Sequence, residues 1–160
     1  MKIQFESQLE YQNHAINSIV NIFEGQEICQ SNFTVTAIND NLLTYQNDLG
    51  IGNRLELLDD EILSNVQQIQ LRNGLPQTKG VKDIKTMDFS VEMETGTGKT
   101  YVYLKTIFEM NKKFGFTKFI IVVPSIAIKE GTNKTLEITN EHFKGLFDNV
   151  NYDYFVYDSS

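Results

Sequence analysis

The run Glu92-Met93-Glu94-Thr95-Gly96-Thr97-Gly98-Lys99-Thr100 constrains this chain more than any other stretch. Glycines let the backbone curl tightly, so that successive N–H groups can point at one phosphate. A helix that starts directly afterwards adds its free N–H groups and its positive dipole end. Gly96 and Gly98 supply the pliable backbone, with Thr95 and Thr97 between and beside them. In such a loop the lysine, here Lys99, reaches the β- and γ-phosphates of a nucleoside triphosphate, and the hydroxyl of Thr100 ligates Mg²⁺. The general pattern G-x-x-x-x-G-K-[ST] asks for glycine at position 93, where this chain has Met93. A chance Gly-Lys-Thr at a helix start is the plain alternative.

The context fits the loop. Residues 88–93 alternate as a short strand would, and Val102, Leu104, Ile107, Phe108 and Met110 give the next segment a helical spacing. Gly115 closes that helix, with Lys112 and Lys113 favourable in its last turn. Residues 117–124, TKFIIVVP, form a continuous apolar, β-branched run of the kind found in buried parallel strands. A third strand is expected at 152–158. Strand, helix, strand in this order predicts a βαβ unit with a right-handed crossover, and hence an α/β fold with helices on both faces of a parallel sheet.

Upstream, residues 8–23 read as an amphipathic helix ended by Gly25, and residues 33–38 as a possible short strand. Leu55, Leu58, Ile62, Val66 and Ile69 predict a second helix, with Asn53 as its front cap and Gly74 at its back. Residues 75–85 read as a loop. Downstream, residues 125–147 read as helix interrupted near Gly131.

Composition narrows the class. With 160 residues the chain can hold one domain with a real core. It contains no run of about 18 apolar residues, and its first ten residues hold no apolar signal core. A cytoplasmic protein with no membrane partner is therefore expected. Cys29 stands alone, which excludes a disulfide framework and a cysteine metal site, and an idle thiol is expected there. The net charge of −7 is unevenly spread: residues 1–98 carry −8, residues 99–144 carry +4, and residues 145–160 carry −3. The basic excess lies downstream of the loop. Ordinary solvated helix faces explain it, and charge alone does not indicate nucleic-acid binding.

Three pieces carry a resemblance. LEYQNHAINSIV, containing Gln12, resembles the glutamine element that precedes motif I in superfamily 2 helicases. METGTGKT resembles motif I, and FIIVVPSIAIKEG resembles motif Ia, in wording closest to type III restriction enzymes. The flanking stretches FESQLEYQNHAINSIV, LLDDEILSNVQQIQLRNGL and YFVYDSS look like the same proteins, so the resemblance spans nearly the whole chain. It implies the front of a type III restriction subunit: a partial RecA-like P-loop domain with an N-terminal helical insert. Its expected parts are a glutamine-element helix in residues 1–25, an insert in 26–86 and a P-loop core through motif Ia in 87–160.

The resemblance implies ATP and Mg²⁺ as cofactors, with double-stranded DNA and a methyltransferase subunit as partners. By it, Gln12 hydrogen-bonds the adenine edge, whereas the residue by itself reads as a solvated helix glutamine. By it, Pro124, Ser125 and Ile126 lie beside the nucleic-acid backbone. A serine hydroxyl and helix-start N–H groups suit phosphate oxygens, and the plain alternative is a helix cap after a proline. Hydrolysis also needs a carboxylate for Mg²⁺ and a group that positions water. Asp59-Asp60-Glu61 reads as a solvated helix face. Asp158 ends an apolar run, but Ser159 follows where a Glu is wanted, and the resemblance places this segment on a strand before motif II. No arginine follows Lys99. The expectation is therefore a chain that binds ATP without turning it over. The competing readings are a stand-alone nucleotide-binding regulatory module and a small kinase.

Overall fold

The structure, a computed structural model, describes residue 6 and residues 9–28 and 53–157. Cys29, the possible strand at 33–38 and Asp158 lie outside the described residues. Four α-helices organise the rest: α1, Glu10–Val20; α2, Asp59–Arg72; α3, Lys99–Phe114; and α4, Ile126–Leu146. Short 3₁₀ turns follow α1 at Asn21–Phe23 and precede the loop at Val81–Ile84. No helix among the described residues is long and apolar enough to cross a membrane.

Helix α3 is central, because its apolar residues fall on two sides. Val102 packs with Ala15, Ile16 and Val20 of α1, joined by Phe114 and Phe116. Tyr101, Leu104 and Phe108, spaced at i, i+3 and i+7, pack on Phe143 and Phe147 beside them. A third cluster joins Ile62 and Val66 of α2 to Ile22 and Ile84. The aromatic residues between α3 and α4 stack closely: Phe108 and Phe143 have ring centroids 4.8 Å apart, and Phe108 and Phe147 5.2 Å. Helix α3 ends as its sequence dictates. Gly115 takes φ +71°, a left-handed turn that costs a residue with a Cβ more than it costs glycine, and its N–H bonds Asn111 O at 2.8 Å.

The expectation of an α/β fold with a parallel sheet is corrected. Among the described residues there is no strand, and no backbone hydrogen bond joins 88–93, 117–123 and 152–157 to one another. Ile120 is 91% exposed, Val122 88% and Phe155 86%. The reason is physical. β-branched residues favour an extended backbone, but an extended segment becomes a strand only when a neighbour takes its N–H and C=O groups. Part of that role falls to a side chain. Asn53 Oδ1 accepts the N–H groups of Thr117 and Lys118 at 2.8 and 3.1 Å, and its Nδ2 donates to Lys118 O.

That placement also corrects the expected cap. Helix α2 starts after Leu58 rather than at Asn53, and Glu61 closes its front by accepting the Leu58 N–H at 2.8 Å. Asp59, Asp60 and Glu61 thus form its acidic first turn, where the helix dipole favours them. Gly131 does not interrupt α4, which runs unbroken from Ile126 to Leu146. Glycine inside a helix costs about 1 kcal/mol; the buried Thr132, Thr139 and Phe143 on the same helix offset that cost.

One part-buried polar pair ties α3 to α4. Tyr101 Oη and His142 Nε2 lie 2.8 Å apart. Burial, and then the nearby Lys105 charge, hold the His142 imidazole below its ordinary value of 6.5. The fold therefore favours neutral His142. As pH falls through about 6.5 the unfolded chain takes up the proton first, so the stability this histidine contributes is present above that pH and is lost below it. The urea midpoint should drop between pH 7.5 and 5.5, and His142→Gln should shrink the drop. An unchanged drop in the variant would assign it to other groups.

Candidate functional site

Residues 94–100 connect a non-helical segment to the first turn of α3. Gly96 and Gly98 have φ +83° and +82°, values that residues with a Cβ rarely adopt. At Gly98 space is limiting as well: a Cβ would lie 2.7 Å from Gln12 Nε2. The loop closes on itself through the carbonyl of Glu94. Thr97 Oγ1 donates to it at 2.7 Å, and Lys99 Nζ donates to it at 2.7 Å. Gly98 O accepts the Val102 N–H at 3.0 Å, which starts α3.

The N–H groups tell most about the loop's chemistry. Those of Thr95, Gly96, Thr97 and Gly98 donate to no carbonyl among the described residues. The first N–H groups of a helix, here from Lys99 onward, also have no partner inside it. A run of uncommitted donors, a helix start and a lysine therefore converge on one short segment. Such an arrangement suits an oxyanion with several acceptor oxygens, and a phosphate chain is the commonest of these. Thr100 sits in the first turn of α3, half-buried, one residue past the lysine.

Gln12 is brought to the same place from 85 residues away. It is buried on α1, and its Nε2 donates to Thr97 O at 2.9 Å. Next to it, Asn13 Oδ1 accepts from Lys105 Nζ at 2.9 Å, which fixes α1 against α3. Burial lowers the Lys105 pKa, and the Glu109 charge works in the opposite direction. Chain pattern alone reads Gln12 as a surface residue; the contact with the loop follows from how α1 packs on α3. A cleft of about 1140 Å³ opens beside the loop, with Tyr11 and His14 of α1, Asn73 at the end of α2 and Thr95–Thr97 in its walls.

Pro124, Ser125 and Ile126 lie at the start of α4, not in the loop. Ser125 caps that helix, its Oγ accepting the Ile128 N–H at 3.3 Å. Ile126 is exposed. The two sequence-predicted groups thus occupy the N-terminal ends of adjacent helices, α3 and α4, which pack together through their aromatic residues.

Comparison with known proteins follows the same lines. Residues 7–154 match the family described as type III restriction enzyme, res subunit. The chain is 34% identical over 142 residues to the type III restriction-modification enzyme EcoPI Res subunit of Escherichia phage P1. That alignment covers 88% of this chain and 14% of the relative. It is 35% identical over 141 residues to the EcoP15I Res subunit of Escherichia coli, covering 87% of this chain and 13% of the relative. To the StyLTI Res subunit of Salmonella typhimurium it is 45% identical over 65 residues, 39% of this chain and 7% of the relative. The chain thus spans about one seventh of the length of the first of these relatives.

Proposed function

This chain belongs to the type III restriction enzyme Res-subunit family, and from that premise we propose that its 95–100 loop binds the phosphates of ATP with Mg²⁺. The observation that carries the reading is the set of N–H groups from Thr95 to Gly98 that donate to no carbonyl among the described residues, next to Lys99 and the start of α3. In this reading the backbone N–H groups and Lys99 hold the β- and γ-phosphates, and Thr100 Oγ1 is the protein's ligand to the metal. Gln12 holds the loop through Thr97 O and faces the base with the rest of its amide. The nucleotide serves a helicase-like motor that acts on double-stranded DNA within a restriction endonuclease, together with a methyltransferase subunit. The start of α4, Pro124 to Ile126, faces the DNA backbone. Hydrolysis itself is not assigned to any residue described above.

The test is displacement of a fluorescent nucleotide by ATP or GTP, with and without Mg²⁺. Wild-type chain should bind ATP more tightly with Mg²⁺, and Thr100→Val should remove most of that gain. Gln12→Ala should narrow the preference for ATP over GTP. Equal Mg²⁺ dependence in wild type and Thr100→Val would contradict the metal role. An unchanged base preference in Gln12→Ala would contradict the adenine role.

A further inference from the structure

The cations of the described residues fall into three groups. Arg54, Lys112, Lys113, Lys134 and Lys144 each pair with a carboxylate. Lys99 and Lys105 are committed to Glu94 O and Asn13 Oδ1. Arg72, Lys79, Lys82, Lys85, Lys118 and Lys129 pair with no carboxylate among the described residues; of these, Lys79, Lys82 and Lys85 fall within one short segment, and all three are exposed. The acid between them, Asp83, bends back instead, its Oδ2 accepting the Gly80 N–H at 3.2 Å.

Their backbone is firmly held. A 3₁₀ helix spans Val81–Ile84, and at three residues per turn Lys82 and Lys85 fall on one side of it, with Lys79 flanking its start. Ile84 anchors that turn in the core with Ile62 and Val66. Just before it, Thr78 is fixed to α2 at three atoms. Its N–H donates to Gln70 Oε1 at 2.7 Å, its Oγ1 accepts from Gln70 Nε2 at 2.8 Å, and its carbonyl accepts from Gln67 Nε2 at 2.8 Å. Thr78, Asp83 and Ile84 line the same cleft as Thr95–Thr97. A fixed backbone thus presents three free, like-charged lysines beside the loop, in a chain whose net charge is −7.

Three like-charged lysines thus recur every three residues with no ion pair to a carboxylate among the described residues. A row of that kind is complementary to a polymer that carries one negative charge per repeat. We infer that Lys79, Lys82 and Lys85 form a docking row for the phosphodiester backbone of duplex DNA. The inference rests on the DNA-directed reading above and adds a contact surface on the α2 side of the loop, apart from the start of α4. It is a positioning contact, sequence-independent and salt-sensitive.

The experiment is fluorescence anisotropy of a labelled random-sequence duplex with the 160-residue chain, titrated between 50 and 200 mM salt. Three proteins are compared: wild type, Lys79→Gln/Lys82→Gln/Lys85→Gln, and a control of equal charge change, Lys112→Gln/Lys113→Gln/Lys134→Gln. The row variant should bind at least about 10-fold more weakly at 50 mM salt, with a slope of log affinity against log salt smaller by about 2.7. The control should change little. All six substituted lysines are solvent-accessible, so folding is preserved, and nucleotide titration on the same samples should be unaffected. Equal DNA affinity for row variant and wild type overturns the inference and leaves the nucleotide reading standing. An equal loss in the control also overturns it, because net charge alone would then explain binding. A wild type that binds no duplex overturns it together with the DNA-directed reading, while the nucleotide titration still reports separately on the loop.

Discussion

Phe143→Ala should cost the fold about 3–5 kcal/mol, the range for truncating a buried aromatic side chain. Phe143 is fully buried, at 0% exposure. It stands at the junction of α3 and α4, with its ring centroid 4.8 Å from that of Phe108 and 5.4 Å from that of Tyr101. Removing it deletes apolar burial and these ring contacts, with those to His142 and Phe147 as well, and leaves a cavity between two helices that cannot close without moving α4. Ordinary domains have only about 5–15 kcal/mol in total, so this single change should bring the chain near its unfolding threshold. Urea denaturation checks it. The midpoint should fall sharply, whereas Phe155→Ala, at a residue 86% exposed, should stay within about 0.5 kcal/mol of wild type. A loss below about 1 kcal/mol for Phe143→Ala would mean that α4 is not anchored on α3 as described.

Much of this arrangement is legible in the order of residues, and the limits of legibility have physical causes. Helices declare themselves locally, because apolar residues recur every three or four positions. Helix α3 therefore appears where its spacing, its lysines and Gly115 place it. The 94–100 loop is equally local, since two glycines and a lysine within four positions determine its shape. Sheet formation is not local. The run FIIVV has every property of a buried strand, yet Ile120 and Val122 are exposed, because pairing depends on a neighbour far away in sequence.

The roles of single polar residues are hidden for the same reason. Asn53 looks like a helix cap and instead bonds the backbone at Thr117 and Lys118, over 60 positions away. His142 meets Tyr101 across 41 positions, and no pattern around either residue signals it. Gln12 stands between these cases. The helix around it is visible in the sequence, but its seat on Thr97 O arises only from the packing of α1 on α3. Similarly, the uneven charge points to the stretch after the loop as basic, while Lys79, Lys82 and Lys85, which pair with no carboxylate among the described residues, lie before it.

Isothermal calorimetry of ATP with Mg²⁺, on wild type and on Lys99→Ala, tests the nucleotide assignment most directly. Lys99 is exposed and donates only to Glu94 O among the described residues, so its truncation should leave the thermal unfolding midpoint close to that of wild type. A hydrogen bond to a charged group contributes about 1.5–3 kcal/mol, and tenfold in affinity corresponds to about 1.4 kcal/mol. Wild type should therefore bind ATP·Mg²⁺, and Lys99→Ala should bind it about 10- to 100-fold more weakly at unchanged fold stability. Equal affinity of the two proteins, or no binding by a folded wild type, would contradict the assignment of residues 95–100 as the phosphate site.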